Sequence, residues 1–177
     1  MIVGEGSKDA AAWNYPEIFS EESFAFYEIN LYIRILAICQ PLSILQWQLT
    51  ADYSLLTGAG IFGTQGPLVP SQRFWNLKQL ASTPENSYSL PLKCSKDGIN
   101  SAAFGNIARS EYAIHIVNNG ADCQTIVTGI PKDIKAFDIF VTDKEKGMEK
   151  TGETVVSEGR IEFMLHKAGF TTLISRK

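Results

Sequence analysis

The stretch EYAIHIVNNGADCQTIVT, residues 111–128, predicts a β-hairpin and decides the fold class of the C-terminal half of the chain. Tyr112, Ile114 and Ile116 are apolar residues two positions apart, which is the spacing of a strand with one face in a core. The NNG turn at residues 118–120 has the residue types that tolerate the positive φ angles of hairpin turns. This stretch therefore indicates antiparallel β-structure.

Strand and turn signals of the same kind continue on both sides of the hairpin, over residues 83–177. Alternation recurs at Ile161, Phe163 and Leu165, and turn residues recur at 96–98 (KDG) and at Glu158-Gly159. Short strands at intervals of about 8–12 residues predict an antiparallel β-sandwich. We expect about eight strands, at residues 88–94, 99–105, 111–118, 122–128, 135–142, 154–156, 160–165 and 170–175.

The first 82 residues have a different pattern, with two helices among short strands. The pattern predicts a strand at residues 1–3, a helix from an N-cap at Ser20 to Cys39, a strand at residues 43–47, a glycine-rich loop at about residues 51–69, and a last helix capped by Ser71. The apolar face of the last helix is expected to be Phe74, Trp75, Leu77 and Leu80. This order is typical of parallel α/β folds. The whole chain is therefore expected to be α+β.

Two strands and two helices are too few to close a parallel sheet. We expect them to leave strand edges and apolar faces uncovered, and the isolated chain to form homo-oligomers or to be poorly soluble. Met1 is followed directly by an apolar strand, without the pattern of a signal peptide, which suits a chain that begins partway through something larger.

Composition limits the possible functions. The chain has 177 residues and a formal charge of −3, with 45% hydrophobic residues, which is enough for one sizeable core. No basic patch is visible, which argues against a nucleic-acid partner. The longest apolar run, residues 31–39, is too short for a membrane span and is interrupted by Arg34.

Cysteine and histidine residues do not form a metal-binding motif, so no metal site and no cofactor are expected. Cys39 is predicted to be a small buried thiol, while Cys94 and Cys123 could form a disulfide across two strands. His115 alternates with the apolar residues of its strand and is predicted to face solvent. The GAGIFG string at residues 58–63 lies too far after its strand, and no helix follows it, so a dinucleotide site is not expected. Residues 144–150 predict a solvated hairpin tip.

Several longer stretches resemble a known family. The sandwich segments YAIHIVNNGADCQTIVTGIP, DIFVTDKEKGM and GRIEFMLHKAGFTTLIS resemble the closing β-sandwich of clan A retaining glycoside hydrolases of the family 30 type, which have a (β/α)₈ barrel. RFWNLKQLASTP resembles the last barrel helix and the linker, ILQWQLTADYS the eighth barrel strand, and MIVGEGS the seventh. The resemblance implies that residues 1–82 are the C-terminal tail of a β/α barrel and residues 83–177 an accessory β-sandwich, with the boundary at residues 82–84.

The resemblance also implies candidate site residues. In these enzymes the nucleophile is a Glu at the C-terminal end of the seventh strand, and Glu5 matches that position. Trp47 would form the floor of a sugar subsite, and Trp13, Tyr15 and Tyr53 could extend the sugar cleft. The alternatives are a solvated turn carboxylate for Glu5, a core position for Trp47, and local packing for the loop aromatics. Gln46 and Gln48 flank Trp47 and are expected to point away from it.

Three functions remain open at this point. The first is a fragment of a retaining glycoside hydrolase acting on polysaccharide or oligosaccharide, inactive alone because the acid/base Glu of the fourth strand is not in the chain. Its parent enzyme would be secreted or periplasmic. The second is a non-catalytic carbohydrate-binding or accessory β-sandwich module. The third is an interaction protein that docks through its half-barrel onto the units that complete it.

Overall fold

The computed structural model describes residues 2–6, 14–46 and 53–177. Trp13, Trp47 and Gln48 lie outside these residues, and for Glu5 the description covers the backbone. The first part of the chain contains β1 (Ile2–Gly6), a short 3₁₀ helix (Pro16–Ser20), α1 (Glu22–Cys39), β2 (Ser43–Gln46), β3 (Leu56–Thr57), β4 (Val69–Pro70) and α2 (Gln72–Leu80). The second part contains β5 (Tyr88–Leu90), β6 (Ile99–Asn106), β7 (Glu111–Asn118), β8 (Cys123–Thr128), β9 (Ala136–Thr142), β10 (Glu149–Val155), β11 (Arg160–Leu165) and β12 (Gly169–Arg176).

Strands β1 and β2 are parallel neighbours joined by α1, as the sequence predicts. Ile2 pairs with Ser43 at one end and Gly6 with Gln46 at the other. The N-cap of α1 is Glu21 and not Ser20, because Ser20 belongs to the 3₁₀ helix and its hydroxyl donates to the Glu17 carbonyl. The helix ends as expected before Pro41, with Gln40 in the left-handed region.

The second part is an antiparallel sandwich of eight strands, which confirms the predicted fold class. Six strands form one sheet in the order β10-β9-β12-β7-β6-β5, and β8 pairs with β11 in a second sheet. The hairpin predicted for residues 111–128 was therefore wrong, because β7 and β8 lie in different sheets and the NNG turn connects one sheet to the other. Strand β5 is shorter than predicted, because Pro91 follows it and has no N–H to continue the ladder. Strand β10 is longer than predicted, since the whole β9–β10 hairpin is paired.

The six-stranded sheet is buried on both faces near its centre. One face packs against the β8–β11 sheet through Ile114, Phe163 and Leu173. The other face packs against α1, where Ile29 and Ile33 meet residues of β6, β7 and β12. The barrel-like part therefore covers the sandwich with an apolar interface.

His115 lies in this second interface, so the prediction of a surface position was wrong. Its side chain is fully buried between the rings of Phe104 and Phe170. The two ring nitrogens are 2.8 Å from the Thr83 hydroxyl and 2.9 Å from the Thr172 hydroxyl. Alternation gave the correct direction for the side chain, but the first 82 residues cover the face that it points to.

The predicted apolar face of α2 was also wrong. The helix buries Arg73, Asn76 and Gln79, and its apolar side chains are only half-buried. The reason is that α2 contacts backbone carbonyls: Gln79 donates to the Phe170 carbonyl and Asn76 to the Ala25 carbonyl. The Ser71 cap is confirmed, since its hydroxyl accepts from the Phe74 N–H.

Two smaller predictions also need correction. Cys39 is exposed at the C-terminal end of α1, and Cys94 and Cys123 are free thiols. The hairpin tip at residues 144–150 is not simply solvated, since Gly147 lies against the indole ring of Trp75 on α2.

No helix in the described ranges is long and apolar enough to cross a membrane. The same ranges hold no group of three or more His, Cys, Asp or Glu side chains that could bind a metal ion.

Candidate functional site

The C-terminal ends of β1 and β2 meet at one edge of the parallel pair, and Glu5 lies at that edge. It is the next-to-last residue of β1, and its neighbour Gly6 pairs with Gln46, the last residue of β2. Parallel pairing brings these two ends together because both strands run in the same direction. The chain position predicted for a nucleophile is therefore at the end of a strand within a β-α-β unit.

The side chain of Gln46 shows which way this end of β2 faces. Its Oε1 accepts a hydrogen bond from the hydroxyl of Tyr32, a buried residue of α1. Burial, reinforced by the Glu28 carboxylate, raises the pKa of Tyr32 above its usual range, so the hydroxyl stays protonated as the donor. The side chain of Gln46 thus points toward α1.

Tyr15 and Tyr53 lie in the segments that follow β1 and β2. Tyr15 is 46% exposed, and its hydroxyl donates to Glu21, a hydrogen bond that raises the pKa of Tyr15. Tyr53 is half-buried, with its ring centroid 4.9 Å from that of Phe19. Phe19, in the 3₁₀ helix directly after Tyr15, packs in one cluster with Phe24 and Tyr53, whereas the Tyr15 hydroxyl is directed to Glu21. One side of the Tyr53 ring packs against Phe19.

Sequence reasoning missed the buried ion pair beneath this cluster. The Arg73 guanidinium on α2 donates to both carboxylate oxygens of Glu28 on α1, at 2.9 and 2.8 Å. Two further donations go to the backbone carbonyls of Tyr53 and Ser54. The available signal was Glu28 itself, an acidic residue within the apolar stretch of α1 that requires a buried partner.

Comparisons by sequence identify no relative: no family model matches the chain, and no curated protein matches it. The structure, however, is similar to a family 30 endoxylanase from Clostridium papyrosolvens, with a TM-score of 0.79 and 14% identity. It is also similar to a glycoside hydrolase family 30 subfamily 8 xylanase from Clostridium acetobutylicum, with a TM-score of 0.80 and 10% identity. Each match covers 99% of this chain. The chain has the fold of the C-terminal region of a family 30 glycoside hydrolase.

The family 30 fold confirms the architecture that the resemblance implies. A third structure, the catalytic domain of xylanase C from Talaromyces cellulolyticus, matches over 89% of this chain with a TM-score of 0.71 and 16% identity. The chain spans 42% of the length of each clostridial enzyme and 36% of the fungal one. At these identities the likeness concerns the fold.

A mainly apolar cavity lies beside β2 in the described part of the chain. This cavity of about 970 Å³ lies between β2, the C-terminal ends of α1 and α2, and the linker to the sandwich. Its lining is mainly apolar, with Leu36, Ile44, Leu77 and Leu80, and no described lining residue is an acid. Tyr15 and Tyr53 do not line it.

Proposed function

We propose that this chain is the C-terminal region of a retaining glycoside hydrolase that acts on polysaccharide or oligosaccharide, with Glu5 as its nucleophile. The observation that carries the proposal is the position of Glu5 at the C-terminal end of β1, in parallel register with β2. Active sites of (β/α)₈ barrels lie at the C-terminal ends of their strands. The neighbouring structures are named xylanases, so β-linked xylan is the first substrate class to test.

The mechanism requires two carboxyl groups. Glu5 would attack the anomeric carbon and form a covalent glycosyl-enzyme, while a second carboxylic acid protonates the leaving oxygen. In retaining enzymes the two groups lie about 5–5.5 Å apart. The resemblance assigns the second group to the fourth barrel strand, which precedes these 177 residues. General acid catalysis contributes about 10²–10⁴-fold, so the chain alone should not hydrolyse glycosides at a measurable rate.

The sugar would bind on aromatic surfaces around Glu5. Trp47 follows Gln46, whose side chain points toward α1, and alternation therefore favours an inward-facing indole as the floor of a subsite. Trp13, Tyr15 and Tyr53 belong to the two segments beside it and would extend the cleft. The C–H faces of a pyranose ring pack well against such aromatic planes.

The two parts of the chain, on either side of the proposed boundary at residues 82–84, would have different roles. Residues 1–82 supply the catalytic end of the barrel, and residues 83–177 form an accessory domain that packs on α1 and α2. In the sandwich, all of which is described, Tyr88 is the one aromatic side chain that is mainly exposed. A sugar-binding module would be expected to present several such rings, so the sandwich gives less support to that alternative. We place the parent enzyme outside the cytoplasm, where polymeric substrates are met.

The test combines gene context with kinetics. We expect the reading frame to continue upstream of Met1 and to encode six further β/α units. The isolated chain should release no nitrophenol from aryl β-xylosides, and the polypeptide with the upstream units should do so. In that polypeptide Glu5→Gln should lower kcat by about 10⁴-fold or more, as loss of a nucleophile does.

Glu22→Gln is the matched control, because Glu22 is an exposed carboxylate in the first turn of α1. Its rate should stay within about twofold of the parent. Equal rates for Glu5→Gln and Glu22→Gln would refute the role proposed for Glu5. Hydrolysis by the isolated chain would show that another acid in these residues completes the mechanism.

A further inference from the structure

The buried ion pair Glu28–Arg73 lies where the segments that leave β1 and β2 come together. Both side chains are almost completely removed from solvent, with 2% of Glu28 and 0% of Arg73 exposed. The pair is bidentate, with Arg73 Nε 2.9 Å from one carboxylate oxygen and Nη2 2.8 Å from the other. Glu28 therefore fixes the plane of the guanidinium.

The Nη1 edge and one face of the Arg73 guanidinium contact the segments that follow β2 and β1. Nη1 donates to the Tyr53 carbonyl at 3.1 Å and to the Ser54 carbonyl at 2.9 Å, both after β2. The guanidinium carbon lies 4.9 Å from the ring centroid of Phe19, in the segment after β1. One side chain thus holds the backbone of one segment and the aromatic anchor of the other.

Stability alone does not explain an ion pair at this place. Replacing a buried ion pair with apolar residues of similar volume is often neutral or stabilising, since the two charges no longer have to be removed from water. What apolar residues cannot do is donate to two loop carbonyls at once. Lys could pair with Glu28, but it lacks the planar set of donors that reaches the carbonyls as well.

The geometry points to a positioning role for this pair. We propose that Arg73, oriented by Glu28, holds the segments that carry Tyr15 and Tyr53 in the positions in which their aromatic rings can receive a sugar. This inference rests on the proposed function, because the sugar cleft is part of that proposal. It adds two residues on α1 and α2 that touch no substrate and act through the segments they hold.

Local hydrogen bonds give a direct readout of the held segment. The Leu56 N–H donates to the Ser54 hydroxyl at 2.9 Å, and the Leu55 carbonyl accepts from the Ser71 hydroxyl at 2.7 Å. Releasing the Ser54 carbonyl from Arg73 should loosen this segment first. We call the contacts of Arg73 with Glu28 and with the Tyr53 and Ser54 carbonyls the clamp. Amide hydrogen exchange at Leu56 reports on this clamp without any sugar being present.

The experiment compares variants of the polypeptide that carries the upstream barrel units, all in a Glu5→Gln background so that xylohexaose is bound and not hydrolysed. The double variant Glu28→Leu/Arg73→Met replaces the pair with apolar side chains, and Arg73→Lys keeps a charge beside Glu28. The matched control is Arg160→Met/Glu162→Leu, which removes an exposed ion pair on the sandwich. For each chain, urea unfolding, amide exchange at Leu56 and the affinity for xylohexaose by NMR titration are measured.

We expect the Glu28→Leu/Arg73→Met variant to keep its unfolding midpoint while exchange at Leu56 becomes about tenfold faster and xylohexaose affinity falls about tenfold. Arg73→Lys should show most of the same local effect, and it serves in place of the double variant if that one fails to fold. The control should change neither exchange nor affinity. Unchanged exchange at Leu56 in the clamp variants would overturn the inference, as would a loss of affinity that merely follows a lower unfolding midpoint.

The two proposals fail in different ways. If the parent polypeptide, with Glu28 and Arg73 intact, binds no xylohexaose, the sugar function is refuted, and exchange at Leu56 still decides whether Arg73 holds the segment. If the parent binds and the clamp variants bind equally well, the positioning role is refuted and the sugar function stands.

Discussion

Gly147 lies at the tip of the β9–β10 hairpin, against the indole ring of Trp75 on α2. A Cβ at this position would lie 2.7 Å from the ring, which is closer than packed atoms tolerate. We therefore expect Gly147→Ala to lift the tip off α2 and to lower the free energy of unfolding by about 1–3 kcal/mol. Chemical unfolding followed by Trp fluorescence measures both effects.

Gly152 provides the control for this substitution, because it lies in the same hairpin and a Cβ there would meet nothing within 4 Å. Gly152→Ala should leave the unfolding free energy within about 0.5 kcal/mol of wild type. Equal effects of the two substitutions would mean that the contact with Trp75 does not hold the tip.

His115 gives the protein a pH dependence with a defined sign. Burial lowers the pKa of His115 from 6.5 to about 3, so the folded protein keeps the ring neutral while the unfolded chain protonates it below about pH 6.5. This contribution to stability is complete above pH 6.5 and is lost as the pH falls toward 3. We expect the free energy of unfolding to drop by about 2 kcal/mol between pH 7 and pH 5.

Urea unfolding at the two pH values checks this expectation with two variants. His115→Gln should be less stable at pH 7 and should lose most of the pH dependence in this window. His166→Gln, at an exposed position, should keep it. The carboxylates whose pKa values are lowered, such as Asp138 and Asp143, act below this window. A wild-type chain equally stable at pH 7 and pH 5 would contradict the buried neutral state of His115.

At the scale of elements, α2 joins the two parts of the chain through its polar face. Gln79 donates to the Phe170 carbonyl at 2.9 Å and accepts from the Thr142 hydroxyl at 2.7 Å, and both partners are in the six-stranded sheet. We expect Gln79→Ala to lower the free energy of unfolding by about 2–4 kcal/mol, because it leaves buried polar groups without partners. Gln72→Ala, at the half-exposed start of the same helix, should cost less than about 0.5 kcal/mol. Similar losses for both would show that α2 is not fixed by this contact.

The elements also show what the sequence could and could not predict. The bounds of β7 and β11 follow from alternation and from the turns beside them, since both signals are local. The buried face of α2 could not be predicted, because Arg73 and Gln79 bind partners that lie 19 or more positions away along the chain. The position of Glu5 at a strand end followed from the family resemblance, whereas the Glu28–Arg73 pair is visible only once α1 and α2 are placed side by side.

At the scale of the whole molecule, the barrel-like part exposes large apolar side chains at the C-terminal end of α1 and before β2. Leu42, just before β2, is 84% exposed, and Ile38 on α1 is 75% exposed. We propose that the isolated chain associates with itself through this surface, and we expect sedimentation velocity to show oligomers that dissociate on dilution. The double substitution Ile38→Lys/Leu42→Lys should shift the population to monomer without lowering the unfolding midpoint.

Ile126→Lys is the control for self-association, because Ile126 is 52% exposed on the outer face of the sandwich. It should leave the oligomer distribution unchanged. A wild-type chain that stays monomeric at high concentration would contradict the association proposed here.

The most direct test of the account is covalent trapping of the nucleophile in the polypeptide that carries the remaining barrel units. A 2,4-dinitrophenyl 2-deoxy-2-fluoro-β-xylobioside has a leaving group that needs no protonation, and its fluorine slows hydrolysis of the covalent intermediate. We expect intact-protein mass spectrometry to show one added glycosyl group and peptide mapping to place it on Glu5, with no adduct in Glu5→Gln. An adduct on a different carboxylate, or turnover that survives Glu5→Gln, would contradict the account.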